Sequence, residues 1–370
     1  MVDGSTRRLH RVVHVGTGLT GTQALRAVID EPALELVGLK VSTADKAGVD
    51  AGRLSGGADV GIPATDDPDE IMALEPDCVL YCATAVRREA EAIADIVGYL
   101  EAGINVVTIS TIPMVYPAAA PREWQEAVHA AARKGNSTFY ATGAEPGFIS
   151  LNIPTALLAG AGTVDSYRMD EYAIDLDKSY PIWDVLHESM GFGKPDGHVP
   201  ARIAAGKVNH DWETVVRYLA DILGLVLDSV DLDWETLLAP EDLTTAIGVI
   251  PQGTICGHRW QLAGMVQGQP AVAVQYFATV SSTPWPQRWP RPVPPPAPAP
   301  ARARNRAAGQ IRSRTTALRP ARQSPSAIPP ATCPRPANPA LPAPECPVHH
   351  RFERAIQASP PGQSPAAGTL

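Results

Sequence analysis

The chain is 370 residues long, 45% hydrophobic and 19% charged, with a formal net charge of −8, which is enough for two domains with a core each. Residues 284–370 hold twelve Arg, no Lys and two acids (Glu345 and Glu353), so the first 283 residues carry a net −18, which speaks against nucleic acid as the partner of the folded body. No run of 18 apolar residues is present to cross a membrane, and the first ten residues lack an apolar signal core, so a cytoplasmic protein is expected.

In chain order, a short apolar strand ends at Val15 and runs into three glycines, Gly16, Gly18 and Gly21, at the spacing G-x-G-x-x-G. A helical pattern over residues 20–30, with Leu25, Val28 and Ile29 on one face, follows at once. That order suits a dinucleotide. Gly16 allows the tight turn, Gly18 lets the backbone approach a pyrophosphate, and Gly21 lets helix and sheet pack closely. Thr17, Leu19 and Thr20 complete the loop. The second strand covers residues 34–41 (LELVGLKV). A site for NAD places an acid at its end, whereas here Lys40, Ser42, Thr43 and Lys46 stand there, with Asp45 the only nearby acid. A cation and hydroxyls suit a 2′-phosphate, so NADP is the expected cofactor and NAD the alternative.

Residues 61–65 read as an edge strand, and Asp67-Pro68 opens a brief helix. Residues 77–83 (DCVLYCA) form a strand buried on both faces that delivers Ala83 and Thr84 to the cofactor edge. A helix over 88–102, capped by Gly103, leads to a fifth strand, 105–110, which brings Ser110 and Thr111 toward the nicotinamide. A helix over 121–134 and a strand over 137–141 follow. The alternation predicts an α/β domain over residues 1–150, a doubly wound parallel sheet of the Rossmann type.

After Gly147 the pattern changes. A connecting helix is expected over 149–158, a strand with one wet face over 164–176 (VDSYRMDEYAIDL), and an amphipathic helix over 211–225. Antiparallel strands are expected over 243–249, 254–265 and 271–280, the last two joined at Gln267-Gly268-Gln269-Pro270. Residues 151–283 therefore read as an α+β substrate domain with a mostly antiparallel sheet, a surface suited to a homo-oligomer. Residues 284–370 hold 22 of the 37 prolines and no apolar period, the composition of a disordered tail. The five cysteines (Cys78, Cys82, Cys256, Cys333 and Cys346) and His198, His210 and His258 show no paired ligand spacing, so no metal is expected.

Several segments together resemble the dihydrodipicolinate reductase-like superfamily, in its branch with a 2,4-diaminopentanoate dehydrogenase-type C-terminal domain. They are VGTGLTG (15–21), DKAGVDAG (45–52), ATDDPDEIMALEPDCVLYCAT (64–84), NVVTIS (105–110), TGAEPGF (142–148), MGFGKP (190–195) and SSTPWPQRWPRP (281–292). The resemblance implies hydride transfer between a nicotinamide and a carbon–nitrogen bond, either imine reduction or oxidative deamination of an amine. Relatives carry a glutamate just after the fifth strand; here residues 111–117 (TIPMVYP) hold no acid. They also continue past SSTPWP with more sheet and a helix. This chain turns to Pro, Arg and Ala, the composition of a GC-rich gene read in a shifted frame, or of a regulatory tail.

Chemistry at a C–N bond needs a group to give or take the nitrogen's proton. Glu145, where the chain passes between domains, is the first candidate. Tyr172 and Tyr180 offer hydroxyls to a substrate amine, and His187 beside Glu188 a proton relay. Two readings stand: an NAD(P)H-dependent oxidoreductase with an amine or imine substrate, and a nucleotide-binding protein without catalysis.

Overall fold

The computed structural model describes residues 8–86 and 88–281. Six strands, β1 (His10–Val15), β2 (Leu34–Lys40), β3 (Ala64–Thr65), β4 (Cys78–Tyr81), β5 (Asn105–Thr108) and β6 (Phe139–Ala141), form one parallel sheet in the order β3-β2-β1-β4-β5-β6. Helices Leu19–Asp30, Glu89–Glu101 and Arg122–Gly135 make the main crossovers. The central strands are apolar because helices cover both faces. Val13 and Val79 are buried with Ile93, Ile96 and Leu100 in one core, while Leu25 packs with Leu39 and Val41 in another. The order of strand addition reverses between β1 and β4, so a crevice opens at the carboxyl ends of those strands, where ligands bind in such folds.

The rest of the chain carries β7 (Tyr167–Ala173), β8 (Ser229–Leu238), the short β9 (Leu243–Thr245) and β10 (Gly248–Ile250), β11 (Ile255–Val266) and β12 (Gln269–Thr279). Four of these form a second sheet in the order β7-β12-β11-β8. β11 pairs antiparallel with β8 and β12, and β7 runs parallel to β12, so the sheet is mixed. Gln267 and Gly268, both at positive φ, make the tight turn from β11 to β12. Helix Lys207–Leu223 covers one face, burying Trp212, Val215, Val216 and Leu219 in the same core as Trp260, Leu262, Val272 and Val274. The helix also ties the two sheets together, since the Thr214 hydroxyl donates to the Pro113 carbonyl at 3.1 Å.

Four local expectations change. The strand expected over 243–249 is a hairpin of β9 and β10, turned by Gly248 at φ +114° and by the Thr245 hydroxyl, which donates to the Gly248 carbonyl. The helix expected from residue 211 starts at Lys207 and stops at Gly224, which takes a left-handed conformation. The connecting helix is α-helical only over Ile153–Ala159, because Glu145, Pro146 and Gly147 in the preceding segment have non-helical dihedrals. Strand β8 is absent from the sequence expectation. Its Asp231, Asp233 and Glu235 alternate along one face, and Arg259 on the neighbouring strand pairs with Asp233 and Glu235. No helix among the described residues is long and apolar enough to cross a membrane. The tail expectation for residues 284–370 lies outside the described residues.

Candidate functional site

The glycine loop is shaped by three different constraints. A Cβ on Gly16, at φ +95°, would lie 2.5 Å from the Ala83 amide nitrogen, so the exits of β1 and β4 touch there. A Cβ on Gly21 would lie 2.4 Å from the Gly16 carbonyl oxygen, while one on Gly18 would meet nothing within 4 Å. The space above Gly18, at the start of helix Leu19–Asp30, is therefore open, and the first turn of that helix carries no acid to repel a phosphate. These features fit a pyrophosphate. Beneath the loop, buried His14 places Nε2 2.8 Å from the Gly16 carbonyl oxygen. Burial lowers its pKa to about 4, so the ring is neutral near pH 7 and donates that bond.

Lys46 stands over the other side of the loop, its ammonium donating to the carbonyl (3.2 Å) and hydroxyl (3.1 Å) oxygens of Thr17. Ser42 and Thr43 beside it are exposed, as is Asp45. Lys40 is the last residue of β2, and its carbonyl accepts from the Gly16 amide at 2.9 Å. At the end of β5, Ser110 donates its hydroxyl to the Tyr81 carbonyl, while the buried Thr111 hydroxyl has no partner among the described residues. Thr84 accepts from the Val86 amide just after Ala83. The strand order thus brings the loop, Ala83, Thr84, Ser110 and Thr111 to one edge of the sheet.

Glu145 lies four residues beyond β6, at the same edge. Both of its carboxyl oxygens are buried, and the Ser150 hydroxyl and amide are the donors turned toward them, short of full hydrogen-bond geometry. Burial pushes its pKa up to about 7, the like charge of Glu171 adds to the rise, and Ser150 pulls the other way. Glu171, on β7, is a second such acid. One of its oxygens is unpartnered, and burial pushes it up to about 7 against the pull of Arg202. Tyr276 on β12 sits directly opposite Glu171 and stacks on Trp260, with ring centroids 5.3 Å apart. Farther along the same face is His258, whose burial lowers its pKa to about 3.

The other sequence candidates sit elsewhere. Tyr172 points to the opposite face of β7 from Glu171, is 46% exposed, and stacks on Phe277 at 4.8 Å. His187 stacks on Trp183 at 4.2 Å and holds Glu188 at 2.8 Å, and Tyr180 is half-buried nearby in sequence. Glu89, His210 and Asp211 converge as metal ligands would, but the Lys207 ammonium already pairs with both carboxylates. Residues 111–117, where the resemblance leads one to expect an acid, form two short turns whose Pro113 and Tyr116 carbonyls receive Thr214. Glu171 is missing from the sequence candidates although its signal is present, because alternation puts it on the same face as Tyr167 and Met169, and Tyr172 on the other.

No family model matches the chain. It is 32% identical over 279 residues to an amine dehydrogenase of Streptomyces virginiae, a match spanning 74% of this chain and 76% of that protein. The structure of an amine dehydrogenase from Mycobacterium smegmatis overlays with a TM-score of 0.57 at 18% identity, covering 75% of this chain and 80% of that one, a likeness of fold.

Proposed function

The chain belongs to the amine dehydrogenase family, and from that premise we propose that it transfers hydride between a nicotinamide cofactor and a carbon–nitrogen bond, reducing an imine or oxidatively deaminating an amine. The observation that carries this reading is the placement of Glu145, a buried carboxyl beyond the end of β6, at the carboxyl edge of the parallel sheet where the open glycine loop leaves β1. Bound nicotinamide supplies or accepts the hydride. Gly16, Thr17, Gly18, Leu19, Thr20 and Gly21 hold the pyrophosphate on the helix N-terminus. Lys40, Ser42 and Thr43, joined by Lys46, hold the ribose phosphate of NADP, and Ala83, Thr84, Ser110 and Thr111 border the nicotinamide.

Glu145 moves the proton at the substrate nitrogen. A carboxyl with a pKa of about 7 is suited to this, since it exchanges a proton in either direction near neutral pH. The absence of an acid after β5, where those carbonyls instead receive Thr214, supports placing the role on Glu145. The same absence favours the second reading, a nucleotide-binding protein without turnover. A panel of cyclic imines, and of ketones with ammonia, with NADPH oxidation followed optically, separates the two. Turnover on at least one member is expected; saturable NADPH binding with none would leave the second reading.

A further inference from the structure

A carboxyl that passes a proton has to be held in place and biased, and the residues just after Glu145 do both. Residues 142–150 (TGAEPGFIS) form a closed lobe. The Thr142 amide donates to the Thr108 carbonyl at the end of β5, and the Phe148 amide donates to the Gly143 carbonyl at 2.8 Å. Gly147, at φ +144°, turns the chain where a Cβ would lie 3.2 Å from the Thr142 carbonyl carbon. Phe148 and Ile149 are then exposed while Ser150 is fully buried, so of these three residues only Ser150 faces inward. In the sequence it reads as one more position of the connecting helix.

The Ser150 hydroxyl is fixed by its neighbour. Its oxygen accepts from the Gly147 amide at 3.1 Å. A serine hydroxyl has one proton and two acceptor lone pairs, so that bond leaves the proton to be given elsewhere. The Glu145 carboxylate is the acceptor toward which it is turned, and the Ser150 amide is turned toward the same carboxylate. A hydroxyl buried without a bond costs free energy, so a fully buried serine in this turn has a polar reason to be there.

We propose that Ser150 is a positioning residue: its hydroxyl, held by the Gly147 amide, aims its proton at the Glu145 carboxylate, steadies that carboxylate and favours its ionised form. The inference rests on the proton role given to Glu145 above and adds the residue that regulates it. An ionised Glu145 can accept from both Ser150 donors, whereas a protonated one gives up part of that, so these donors favour the base. Burial and the like charge of Glu171 favour the acid; Tyr167 also feels the Glu145 charge, and Arg202 acts on Glu171. The balance leaves the carboxyl at about 7. In deamination the carboxylate takes a proton from the substrate ammonium before hydride leaves the neighbouring carbon for the oxidised nicotinamide. In reduction the carboxyl gives that proton back to the amine formed. Ser150 keeps its own proton throughout.

The test reads the Glu145 carboxyl itself. Infrared difference spectra of the full chain, without cofactor or substrate, follow the C=O band of the protonated carboxyl that Glu145→Gln removes. In the parent its midpoint should lie near pH 7. Ser150→Ala deletes one donor to a charged group and should raise the midpoint by about one pH unit. Ser150→Thr keeps the hydroxyl and should return it toward the parent value. Should Ser150→Ala not fold, Ser150→Cys, with a weaker donor on a side chain of the same shape, should show a smaller rise in the same direction. A midpoint equal to the parent's or below it in these donor-weakened variants overturns the assignment, because a merely structural serine moves the melting temperature and not the band. Turnover on the amine and imine panel is read separately, and its pH limbs should move upward with the band. A band that moves with no panel member turned over leaves Ser150 in place and removes the proposed function. Turnover whose pH limbs stay unmoved in Ser150→Ala overturns Ser150 and leaves that function.

Discussion

Glu145 and Glu171 share an electrostatic predicament that has consequences for stability as well as for chemistry. Between about pH 4.5 and 7 the unfolded chain has released both protons while the folded chain still holds them. Folded pKa values raised above the unfolded ones mean that this stability is present at low pH and is lost as pH rises through 7. The double Gln variant carries no such slope, so its melting temperature should match the parent near pH 4.5 and exceed it at pH 8, as calorimetric scans at the two values would show. In catalysis, Glu145→Gln should lower turnover by about 100-fold or more with NADPH affinity nearly intact. Equal activity would move the proton to another group. At the cofactor end, Lys40→Asp and Lys46→Ala should each weaken NADPH while sparing NADH, measured by fluorescence titration. A tenfold preference for NADH in the unaltered protein would refute the reading of the strand end. Glu145 is legible in the sequence because it is the one charged residue of TGAEPGF (142–148), where the alternation of strands and helices ends. Glu171 is legible only in its parity, which it shares with Tyr167 and Met169 and which alone does not name an acid as functional.

Elements are most legible where one period dominates. The six-stranded sheet follows from apolar runs alternating with amphipathic helices, and its strands lie within a few residues of expectation. Strand β8 escapes because its period-2 pattern is written in acids, whose partner Arg259 is 24 residues from Glu235 and 26 from Asp233. The hairpin of β9 and β10 escapes for the opposite reason: the segment looks like one strand until Thr245 and Gly248 are seen to turn the chain. The glycine loop allows a sharper test, since its three glycines have different reasons to be glycine. Gly18 has β-region dihedrals and free space, so Gly18→Val should fold with little change in melting temperature yet lose nucleotide binding. Gly21→Val, driven into the Gly16 carbonyl, should lose stability first. Unchanged cofactor affinity in Gly18→Val would remove the basis for the nucleotide site.

Over the whole molecule, the chain past Ser281 lies outside the described residues, and its twelve arginines against no lysine from residue 284 remain a matter of sequence. Translating the encoding DNA in its other two forward frames beyond Pro292 should reveal further alternating strands and a helix. Stop codons and patternless sequence in both frames would make the tail a genuine extension. Helix Lys207–Leu223 also bears on how the two sheets are joined. It grips the segment after β5 through Thr214 and the start of helix Glu89–Glu101 through Lys207, so the loop after β5 is committed to attachment. Placing a glutamate within residues 111–117 should therefore loosen the joint between the two sheets, read as a lower melting temperature, before it changes any chemistry.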